Sequence, residues 1–375
     1  MRVAFGLTAV RRTQNGEGVD GIGMYSLRLL DLLRESSEVS ISPFEFAAKD
    51  KLLGNLDWGN YQLQAAFSWA TGATFPVAHF RLGRDIDVVH ATDHFIPKIS
   101  RKPLVATIHD AIPLSHPESV RYNLKQLRHA MFKHLARSVT EVITVSEHSK
   151  KEIVKWFGIP EGKITVTPLG VDDDWYREVG TDELARVKAA YSLPDRFFFF
   201  VGTLQPRKNI RRIIDAHKSL PQHMRREVPL VIAGRHGWKC DAEVAELQNC
   251  SDGTMRWIQY VPAGDLLPIF KQATALAWPS LNEGFGLPVL EAFAAGLPVV
   301  TSNTTSLPEV AGDAALTVNP ESIGEIAEAM QTLASNESLQ NDLRTRGRAR
   351  AKQFTWDRTA RQTIEVYRKA IESFA

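Results

Sequence analysis

One stretch decides the fold class of this chain: Thr274-Ala-Leu-Ala-Trp-Pro279, followed by Glu283-Gly-Phe-Gly-Leu-Pro-Val-Leu-Glu291 and closed by Gly296. The first run is apolar and bounded by a proline, which predicts a buried strand. Leu287 to Ala295 predicts a helix, because Pro288 is tolerated at an early helical position and a glycine commonly ends a helix. The stretch therefore predicts a strand, a turn containing glycines and a helix.

The turn between this strand and this helix has the composition of an anion site. Gly284 and Gly286 let the backbone approach a ligand without a Cβ in the way, and the unpaired N–H groups at a helix start favour an anion. Glu283 lies on the turn and Glu291 in the first turns of the helix, where a carboxylate can accept both hydroxyls of a cis-diol. A phosphate cradle between two such groups fits a nucleotide-sugar. The alternative is an ordinary tight turn whose glutamates answer the helix dipole.

The composition narrows the class of protein. A length of 375 residues predicts two domains, because single hydrophobic cores stop growing below that size. The 45 basic and 43 acidic residues leave a net charge of +2, whereas a nucleic-acid binder carries a marked basic excess. Cys240 and Cys250 are too few for a disulfide framework, Val3–Val10 is too short for a signal peptide, and no apolar run approaches the roughly 20 residues of a membrane span. We therefore expect a cytoplasmic protein, soluble or peripheral at the inner face of the membrane, without nucleic-acid partners.

Short apolar runs alternate with helical patterns along nearly the whole chain. Several runs are continuous, which is typical of parallel strands covered on both faces. This alternation predicts an α/β protein built from doubly wound sheets. The predicted strands are Val3–Val10, Val88–Ala91, Leu104–Ile108, Val142–Val145, Ile164–Pro168, Phe197–Val201, Leu230–Ala233, Trp257–Val261, Leu276–Pro279, Pro298–Thr301 and Ala315–Val318.

A segment rich in Asp, Gly and Pro, residues 170–195, is expected to join the two domains. We divide the chain there into an amino-terminal domain, residues 1–172, and a carboxyl-terminal domain, residues 173–355. The last helix is expected to begin near Trp356. Its apolar residues recur at alternating spacings of four and three positions, which predicts one buried stripe. The stripe consists of Ala360, Ile364, Tyr367, Ile371 and Phe374.

Two adjacent cations, Arg207 and Lys208, follow the predicted strand Phe197–Val201 and precede a predicted helix. They belong to the segment Gly202-Thr-Leu-Gln-Pro-Arg-Lys-Asn-Ile210. Arginine offers a planar fork of donors and lysine a compact charge, so the pair predicts a diphosphate site. Cations oppose the dipole at a helix start, so a purely structural role explains them less well.

A glycine segment, Gly18-Val-Asp-Gly-Ile-Gly23, follows the first predicted strand and precedes an amphipathic helix over Ile22–Glu35. Its spacing differs from the dinucleotide fingerprint, and no acidic residue follows at the expected distance after a second strand, which disfavours a hydride-transfer enzyme. Gly21, Ile22 and Gly23 can hold a phosphate or admit an acceptor. A plain turn is the equal alternative.

His109 follows the predicted strand Leu104–Ile108 and leads into Asp110. Ligands of open α/β sheets bind beyond the carboxyl ends of the strands. A histidine in that place can hydrogen-bond a sugar hydroxyl or balance developing charge. A structural histidine is the alternative.

Three other matches are assigned to architecture. Asp85-Ile-Asp87 and Asp172-Asp-Asp174 fit a D-x-D metal pattern, but the first precedes a strand and the second lies in the interdomain segment. Because aspartate is common in turns, we assign both to solvated turns and predict no metal site. Ser306-Leu-Pro-Glu309 matches a capping box and predicts a helix start.

Residues 121–137 are helical in pattern and carry five Lys or Arg and no acidic residue. One interpretation is a core-facing helix with a solvated basic face. The other is a surface that docks on anionic lipid. The apolar side consists of Leu124, Leu127, Met131 and Leu135.

Together these residues resemble glycosyltransferase family 4, the retaining transferases of GT-B fold. The likeness covers nearly the whole chain and is strongest in the carboxyl half. There it rests on Gly202–Asn209, Ala233-Gly-Arg-His-Gly-Trp238, Glu283–Pro298 and Ser306–Gly312. In the amino half it is looser and rests on Gly21-Ile-Gly23, Ile108-His-Asp110, Val145-Ser146 and Pro168-Leu-Gly-Val-Asp172.

The resemblance implies two Rossmann-like doubly wound domains facing across a cleft that holds the active site. It also implies that the last helix, residues 356–375, crosses back to the amino-terminal domain. Thr203 stands where many members carry an arginine, which changes how positive charge is shared near the donor. The resemblance also implies a role for each candidate residue. Glu291 would bind the ribose diol, and Lys208 and Arg207 the diphosphate, while His109 would contact the donor sugar and Gly21–Gly23 the phosphates or the acceptor. The donor sugar and phosphates would face Glu283, Gly284, Phe285, Gly286 and Leu287.

The segment around Arg207 and Lys208 is similar to bacterial mannosyl- and related deoxyhexosyltransferases that build surface polysaccharide such as lipopolysaccharide. The resemblance implies transfer of a hexose, mannose from GDP-mannose, with retained configuration to a hydroxyl of a glycan or polyprenyl-linked glycan. No cofactor is implied, and no metal is required if the cations neutralise the diphosphate. Three rivals remain: a glycoside hydrolase using Glu283 and Glu291, a sugar-nucleotide epimerase, and a non-catalytic two-lobed sugar-binding protein.

Overall fold

The chain folds into two compact units. Unit 1 comprises residues 1–170 and 356–375, and unit 2 comprises residues 171–355. The computed structural model describes residues 1–10, 21–46, 56–83, 85–119 and 123–374. Two predicted features therefore lie partly outside the described residues: Gly18–Asp20 of the glycine segment, and residues 121 and 122 at the start of the basic helix.

Unit 1 contains a parallel sheet of seven strands. They are β1 (Arg2–Gly6), β2 (Ser40–Glu45), β3 (Leu56–Asp57), β4 (Val88–Ala91), β5 (Leu104–Thr107), β6 (Glu141–Thr144) and β7 (Ile164–Val166). Their order across the sheet is β3-β2-β1-β4-β5-β6-β7, and every pair is parallel. The direction of winding reverses between β1 and β4, which is the point where open α/β sheets bind ligands.

Unit 2 contains a second parallel sheet, of six strands. They are β8 (Phe198–Val201), β9 (Leu230–Ala233), β10 (Met255–Ile258), β11 (Ala275–Trp278), β12 (Val299–Ser302) and β13 (Leu316–Val318). Their order is β10-β9-β8-β11-β12-β13, again with parallel pairs throughout. The winding reverses between β8 and β11. The predicted class, α/β with two doubly wound parallel sheets, is confirmed.

Helices connect the strands in both units. They are α1 (Gly21–Glu35), α2 (Tyr61–Thr71), α3 (Pro76–Arg81), α4 (Ile112–Ser115), α5 (Lys125–Ala136), α6 (Glu147–Phe157), α7 (Thr181–Tyr191), α8 (Ile210–Ser219), α9 (Gln222–Glu227), α10 (Asp241–Gln248), α11 (Ala263–Gln272), α12 (Leu287–Ala295), α13 (Leu307–Ala311), α14 (Ile323–Ser335), α15 (Glu337–Ala351) and α16 (Trp356–Phe374). Within the described ranges, no helix is both long and apolar enough to cross a membrane.

The last helix, α16, packs on unit 1 against α1 and the strands β4, β5 and β6. Its predicted stripe is buried over its first turns, where Ala360, Ile364 and Tyr367 lie. The stripe ends before Phe374, which is 43% exposed. The helix α16 therefore completes the core of unit 1, the unit that also contains the first strand, β1.

Sequence patterns located the strands of unit 2 well and missed two strands of unit 1. Every predicted strand has a counterpart, although β1 ends at Gly6 and not at Val10. The strands β2 and β3 were not predicted. β2 contains Ser40, Ser42 and Pro43, so it has no continuous apolar run, and β3 is only two residues long. Both lie at one side of the sheet, where pairing with β1 and with each other holds them.

Candidate active site

Two loops meet at the switch point of unit 2. One follows β8 and carries Arg207 and Lys208. The other follows β11 and carries Glu283. Because β8 and β11 are parallel neighbours, their carboxyl ends open at the same edge. The amide of Leu281 donates to the carbonyl of Arg207 at 2.8 Å, and Asn209 Nδ2 donates to the carbonyl of Pro279 at 2.8 Å. The two loops are thus fixed to each other.

The side chains on these loops form a buried ion cluster. Glu283 Oε1 lies 2.7 Å from Lys208 Nζ, and Glu283 Oε2 lies 2.8 Å from Arg207 Nη1. The exposed fractions of the side chains are 9% for Glu283, 11% for Lys208 and 23% for Arg207. Burial alone would raise the pKa of Glu283, but the two cations outweigh it and hold the pKa below its ordinary value. Sequence reasoning placed these three residues near one ligand; the structure places them in direct contact with each other.

Lys208 has a second partner that the sequence did not reveal. Its Nζ lies 4.1 Å from the centroid of the Trp278 ring, within the range of a cation–π contact. Trp278 is fully buried and donates from Nε1 to the carbonyl of Val201 at 3.0 Å, so the ring is fixed. Burial and the neighbouring Arg207 lower the pKa of Lys208 to about 8, against the opposing effect of Glu283. The sequence marked Trp278 only as a buried strand residue.

The turn from Glu283 to Gly286 needs its second glycine. Gly286 has a φ of 120°, and a Cβ there would lie 2.7 Å from Leu307 Cδ2. Phe285 is 6% exposed and packs at 5.9 Å on Phe354, so its side chain belongs to the core of unit 2. Phe285 therefore offers a ligand its backbone and not its ring.

The side chain of Ser306 is hydrogen-bonded to this turn. Its hydroxyl bonds to the carbonyl of Glu283 at 2.8 Å and to that of Phe285 at 2.9 Å, and the side chain is fully buried. The predicted capping box is therefore wrong: Ser306 does precede α13, but its side chain makes no capping bond. The hydroxyl is drawn instead to two carbonyls that the sheet brings next to it. The pattern correctly predicted a helix start at Ser306, but it predicted the wrong hydrogen-bond partner for the hydroxyl.

The helix α12 starts at this turn without a side-chain cap. Gly286 is its N-cap, and Pro288 lies in its first turn, where no N–H is needed. The amides of Val289 and Leu290 donate to the carbonyl of Gly286 at 3.0 and 3.4 Å, so backbone groups close this first turn. The predicted bounds, Leu287 to Ala295 with Gly296 as the stop, are confirmed. The start of α12 lies beside the ion cluster and suits an anion.

Glu291 lies one turn into α12 and is partly buried. Burial, with a further contribution from Asp172, raises the pKa of Glu291 to about 7. Asp172 precedes a short 3-10 turn, Asp173–Tyr176, that packs against α12. The Asp172–Asp174 match was assigned to a solvated turn, and Asp173 and Asp174 are exposed in that turn. Asp172 itself is partly buried, and its charge contributes to the raised pKa of Glu291.

Thr203 is exposed on the loop that follows β8. The other match to the D-x-D pattern, Asp85 and Asp87, is bound by Arg2. The guanidinium of Arg2 pairs with Asp85 at 2.8 Å, and the amide of Arg2 donates to Asp87 at 2.8 Å. Among the residues that the structure describes, no group of three or more His, Cys, Asp or Glu side chains could hold a metal ion.

Unit 1 brings its predicted residues together at its own switch point. Gly21, Ile22 and Gly23 form the first turn of α1, so the glycines start the helix and do not precede it. His109 follows β5, and its Nε2 donates to the carbonyl of Thr92, which follows β4, at 3.2 Å. The rings of His109 and Tyr25 are in edge-to-face contact, with centroids 4.8 Å apart.

The basic helix is shorter and more exposed than the sequence suggested. It spans Lys125–Ala136 as α5. Leu124 and Leu127 were predicted on its apolar side, yet they are 71% and 38% exposed, and of that side only Leu135 is fully buried. Met131 and Phe132 also pack against the core of unit 1, so the core-facing interpretation holds from Met131 to the end of α5.

Two family models match the chain. The model described as "Glycosyl transferases group 1" matches residues 182–350 in unit 2. The model described as "Glycosyltransferase Family 4" matches residues 55–175, mostly in unit 1. Together they span most of both units.

Curated relatives and solved structures agree with these models. The chain is 35% identical over 289 residues to O-antigen chain mannosyltransferase B of Escherichia coli, covering 75% of this chain and 74% of that protein. It is 27% identical over 277 residues to the serotype-specific mannosyltransferase WbdA of Escherichia coli, covering 72% of this chain and only 34% of that longer protein. The crystal structure of Anabaena HepE in complex with UDP-glucose matches at a TM-score of 0.74 and 18% identity, over 98% of this chain and all of that one (100%).

Proposed function

Since the chain belongs to glycosyltransferase family 4, we propose that it transfers mannose from a nucleotide-sugar, GDP-mannose, to a hydroxyl group of a growing surface polysaccharide. The relative with 35% identity, an O-antigen chain mannosyltransferase, supports both the sugar and the product class. One observation carries the proposal: two cations, Arg207 and Lys208, lie at the switch point of unit 2 beside the uncapped start of α12. Cations and the start of a helix at one sheet edge are what a diphosphate requires.

The donor diphosphate is expected to bind against Lys208, Arg207 and the first amides of α12. Glu283 pairs with both cations and leaves the cluster with a net positive charge. A carboxylate has more acceptor sites than two cations occupy. Glu283 can therefore orient the cations towards the phosphates and still accept a hydrogen bond from a hydroxyl of the sugar.

The ribose of the donor is assigned to Glu291. This residue lies on the same helix start, one turn beyond the phosphate amides. An ionised carboxylate accepts both hydroxyls of a cis-diol. The raised pKa of Glu291, about 7, means that a bound diol stabilises a charge that burial otherwise disfavours.

Departure of the diphosphate is the difficult step of the transfer. The bond between C1 of the sugar and the phosphate oxygen breaks, and a bond forms between C1 and the acceptor oxygen on the same face. The proton of the acceptor hydroxyl passes to the departing phosphate oxygen. Lys208, Arg207 and the helix amides stabilise the growing negative charge, an effect worth roughly 3–4 kcal/mol per well-placed donor. His109 assists at the transferred sugar, and no protein nucleophile and no metal take part.

A hydrolase that uses Glu283 and Glu291 would need one ionised and one protonated carboxyl group, and the lowered pKa of Glu283 and the raised pKa of Glu291 fit that division too. The two cations separate the alternatives. Arg207 and Lys208 bind both oxygens of Glu283, and a glycoside without a diphosphate has no charge for these cations to bind.

The acceptor is proposed to be a glycan or a polyprenyl-linked glycan, presented at an anionic bilayer. Leu124 and Leu127 are exposed at the start of α5, and cations of that helix accompany them. Exposed apolar and basic side chains on one helix suit anionic lipid. Sedimentation with phosphatidylglycerol vesicles tests this: the protein should sediment, Leu124→Ser/Leu127→Ser should reduce that binding, and phosphatidylcholine vesicles should bind neither. Equal binding of both proteins to phosphatidylglycerol would exclude α5.

The function itself is tested with purified protein and a panel of GDP-, UDP-, ADP- and dTDP-sugars. GDP-mannose should raise the melting temperature most, because a ligand of the native state stabilises it. With a mannan acceptor, Lys208→Met should lose about a hundredfold in turnover. Lys218→Met is the matched control, since Lys218 lies in the same unit and pairs with Glu246 outside the cluster.

Analysis of the product decides between the proposal and its rivals. NMR of the new glycosidic linkage should show the anomeric configuration of the donor. Free mannose formed from a nucleotide-free glycoside would indicate a hydrolase, and an altered sugar on the nucleotide would indicate an epimerase. Binding of the donor without any turnover would indicate a sugar-binding protein.

A further inference from the structure

A chain of hydrogen-bonded side chains runs through the core of unit 1. The hydroxyl of Tyr25 lies 2.9 Å from Thr107 Oγ1, and Thr107 Oγ1 lies 2.8 Å from His90 Nε2. His90 Nδ1 lies 2.7 Å from the hydroxyl of Tyr367. All four side chains have no exposed surface. They come from α1, β5, β4 and α16, so the chain links the last helix to the first.

This buried chain is uncharged. Burial, with a smaller contribution from His109, lowers the pKa of His90 to about 3. The His90 ring therefore carries one proton, and one of its nitrogens donates while the other accepts. Apolar residues of similar shape could fill the same core without the cost of burying four polar groups. The hydrogen bonds fix the orientations of these four side chains, which apolar packing alone would not determine.

The series of hydrogen-bonded side chains ends at Tyr25, and Tyr25 contacts His109. The ring of Tyr25 meets the ring of His109 at an interplanar angle of 87°. Ser26, the next residue of α1, donates to Thr92 Oγ1 at 3.0 Å, and the carbonyl of Thr92 accepts the bond from His109 Nε2. Two adjacent residues of α1 thus hold the ring contact and the hydrogen-bond partner of His109.

We propose that Tyr25 is a positioning residue for His109, and that Tyr367 of the last helix sets the orientation of Tyr25 through His90 and Thr107. The proposal rests on the proposed function in one respect, the part that His109 takes in the transfer step. Tyr25 and Tyr367 touch no substrate in this scheme. They act by limiting the rotation of one imidazole ring, and a misplacement of about 1 Å can cost a factor of about a hundred in rate.

The first test is spectroscopic and needs no substrate. The Cε1–Hε1 cross-peak of His109 is assigned in the full-length protein by its loss in His109→Ala. Tyr367→Phe removes the hydroxyl that bonds to His90 and keeps the ring. This variant should shift and broaden the cross-peak of His109, although three side chains lie between the two residues. Arg368→Gln, on the exposed side of the same helix, is the matched control and should leave the cross-peak unchanged.

The second test is kinetic. Tyr367→Phe and Tyr25→Phe should lower kcat about tenfold and leave the dissociation constant for GDP unchanged, since the groups assigned to the nucleotide belong to unit 2. Tyr25→Leu should lose more, because it also removes the ring contact. Thr107→Val removes the hydroxyl that bonds to both Tyr25 and His90, so the proposal remains testable if one of the tyrosine variants does not fold.

A lower melting temperature of Tyr367→Phe with an unchanged His109 cross-peak and an unchanged kcat would overturn the proposal, because the chain would then serve stability alone. Full transfer by His109→Ala would instead refute the role of His109 in the proposed function. The cross-peak in Tyr367→Phe would still decide whether the two tyrosines position the ring.

Discussion

Lys208 and Glu283 form an ion pair of 2.7 Å in the interior of unit 2, where both side chains are almost closed to water. Burial lowers the pKa of Lys208, and Glu283 opposes that effect. The carboxylate therefore does more than balance charge: it extends the pH range over which the lysine remains a cation. A lysine that must stabilise a departing diphosphate is useful only while it is charged.

The pair predicts the alkaline limit of activity. Lys208 is charged below its pKa of about 8 and loses its charge as the pH rises through that value, so kcat/KM for the donor should fall above pH 8. Glu283→Gln should move this limb to lower pH, because the group that raises the pKa of Lys208 is gone. Lys208→Arg should abolish the limb, since arginine stays protonated. A limb at the same pH in wild type and Glu283→Gln would show that Lys208 does not cause it.

The raised pKa of Glu291 predicts two effects of pH: donor affinity falls at low pH, and the contribution of Glu291 to stability falls at high pH. Its pKa is about 7 in the folded chain against 4.5 for the free side chain, so donor affinity should fall as the pH drops below 7. Glu291→Gln should bind the donor weakly at every pH. The same pKa shift means that the contribution of Glu291 to stability is most favourable below pH 4.5 and is lost as the pH rises through about 7. Glu291→Gln should therefore be more stable than wild type at pH 8, by roughly 1–3 kcal/mol.

Asp172 is the control for this second limit. Asp172 raises the pKa of Glu291, so Asp172→Asn should move the acid limb to lower pH without abolishing it. Isothermal titration with GDP-mannose, at pH values within about 1–2 units of the pKa of Glu291, measures how donor affinity depends on pH. Unchanged affinity in Glu291→Gln would remove this residue from the ribose site.

Ser306 predicts a loss of rate without a loss of fold. Ser306→Ala removes the hydroxyl whose single proton is shared between the carbonyls of Glu283 and Phe285, at a cost of about 1–2 kcal/mol in stability. The looser turn should lower kcat/KM about tenfold or more. Ser335→Ala, which removes only a bond within α14, is the control. Equal kinetics of the two variants would show that the turn does not need Ser306.

Chelation tests the proposed independence from metal. Lys208 and Arg207 supply two positive charges for the diphosphate, so full activity should persist in excess EDTA. A loss of activity that is restored by Mg²⁺ or Mn²⁺ would contradict this, and Asp172 and Asp174 would then be the first residues to replace. The assay should use protein freed of metal beforehand.

The local features of the site followed from local patterns in the sequence. The strand before Pro279, the glycine turn and the helix Leu287–Ala295 each depend on residues within a few positions of each other. Arg207 and Lys208 were recognised because two cations at a helix start are hard to explain otherwise. Glu291 was recognised by its spacing from Glu283.

The contacts between these features could not be predicted in the same way. The pairing of Glu283 with Lys208 depends on β8 and β11 being neighbours, which the order of the sheet decides and no local pattern records. Ser306 shows the same limit, since a capping pattern correctly indicated a helix start while its hydroxyl found two carbonyls on another loop. His90 and Tyr367 lie 277 positions apart, and periodicity marked Tyr367 only as buried.

The position of α16 has a consequence for biosynthesis. A ribosome releases Tyr367 only after all of unit 2 has been made, so the nascent unit 1 must wait for α16, with His90 lacking the hydroxyl of Tyr367 and part of its interior uncovered. A chain cut short after residue 355 would therefore damage the half of the molecule that was synthesised first.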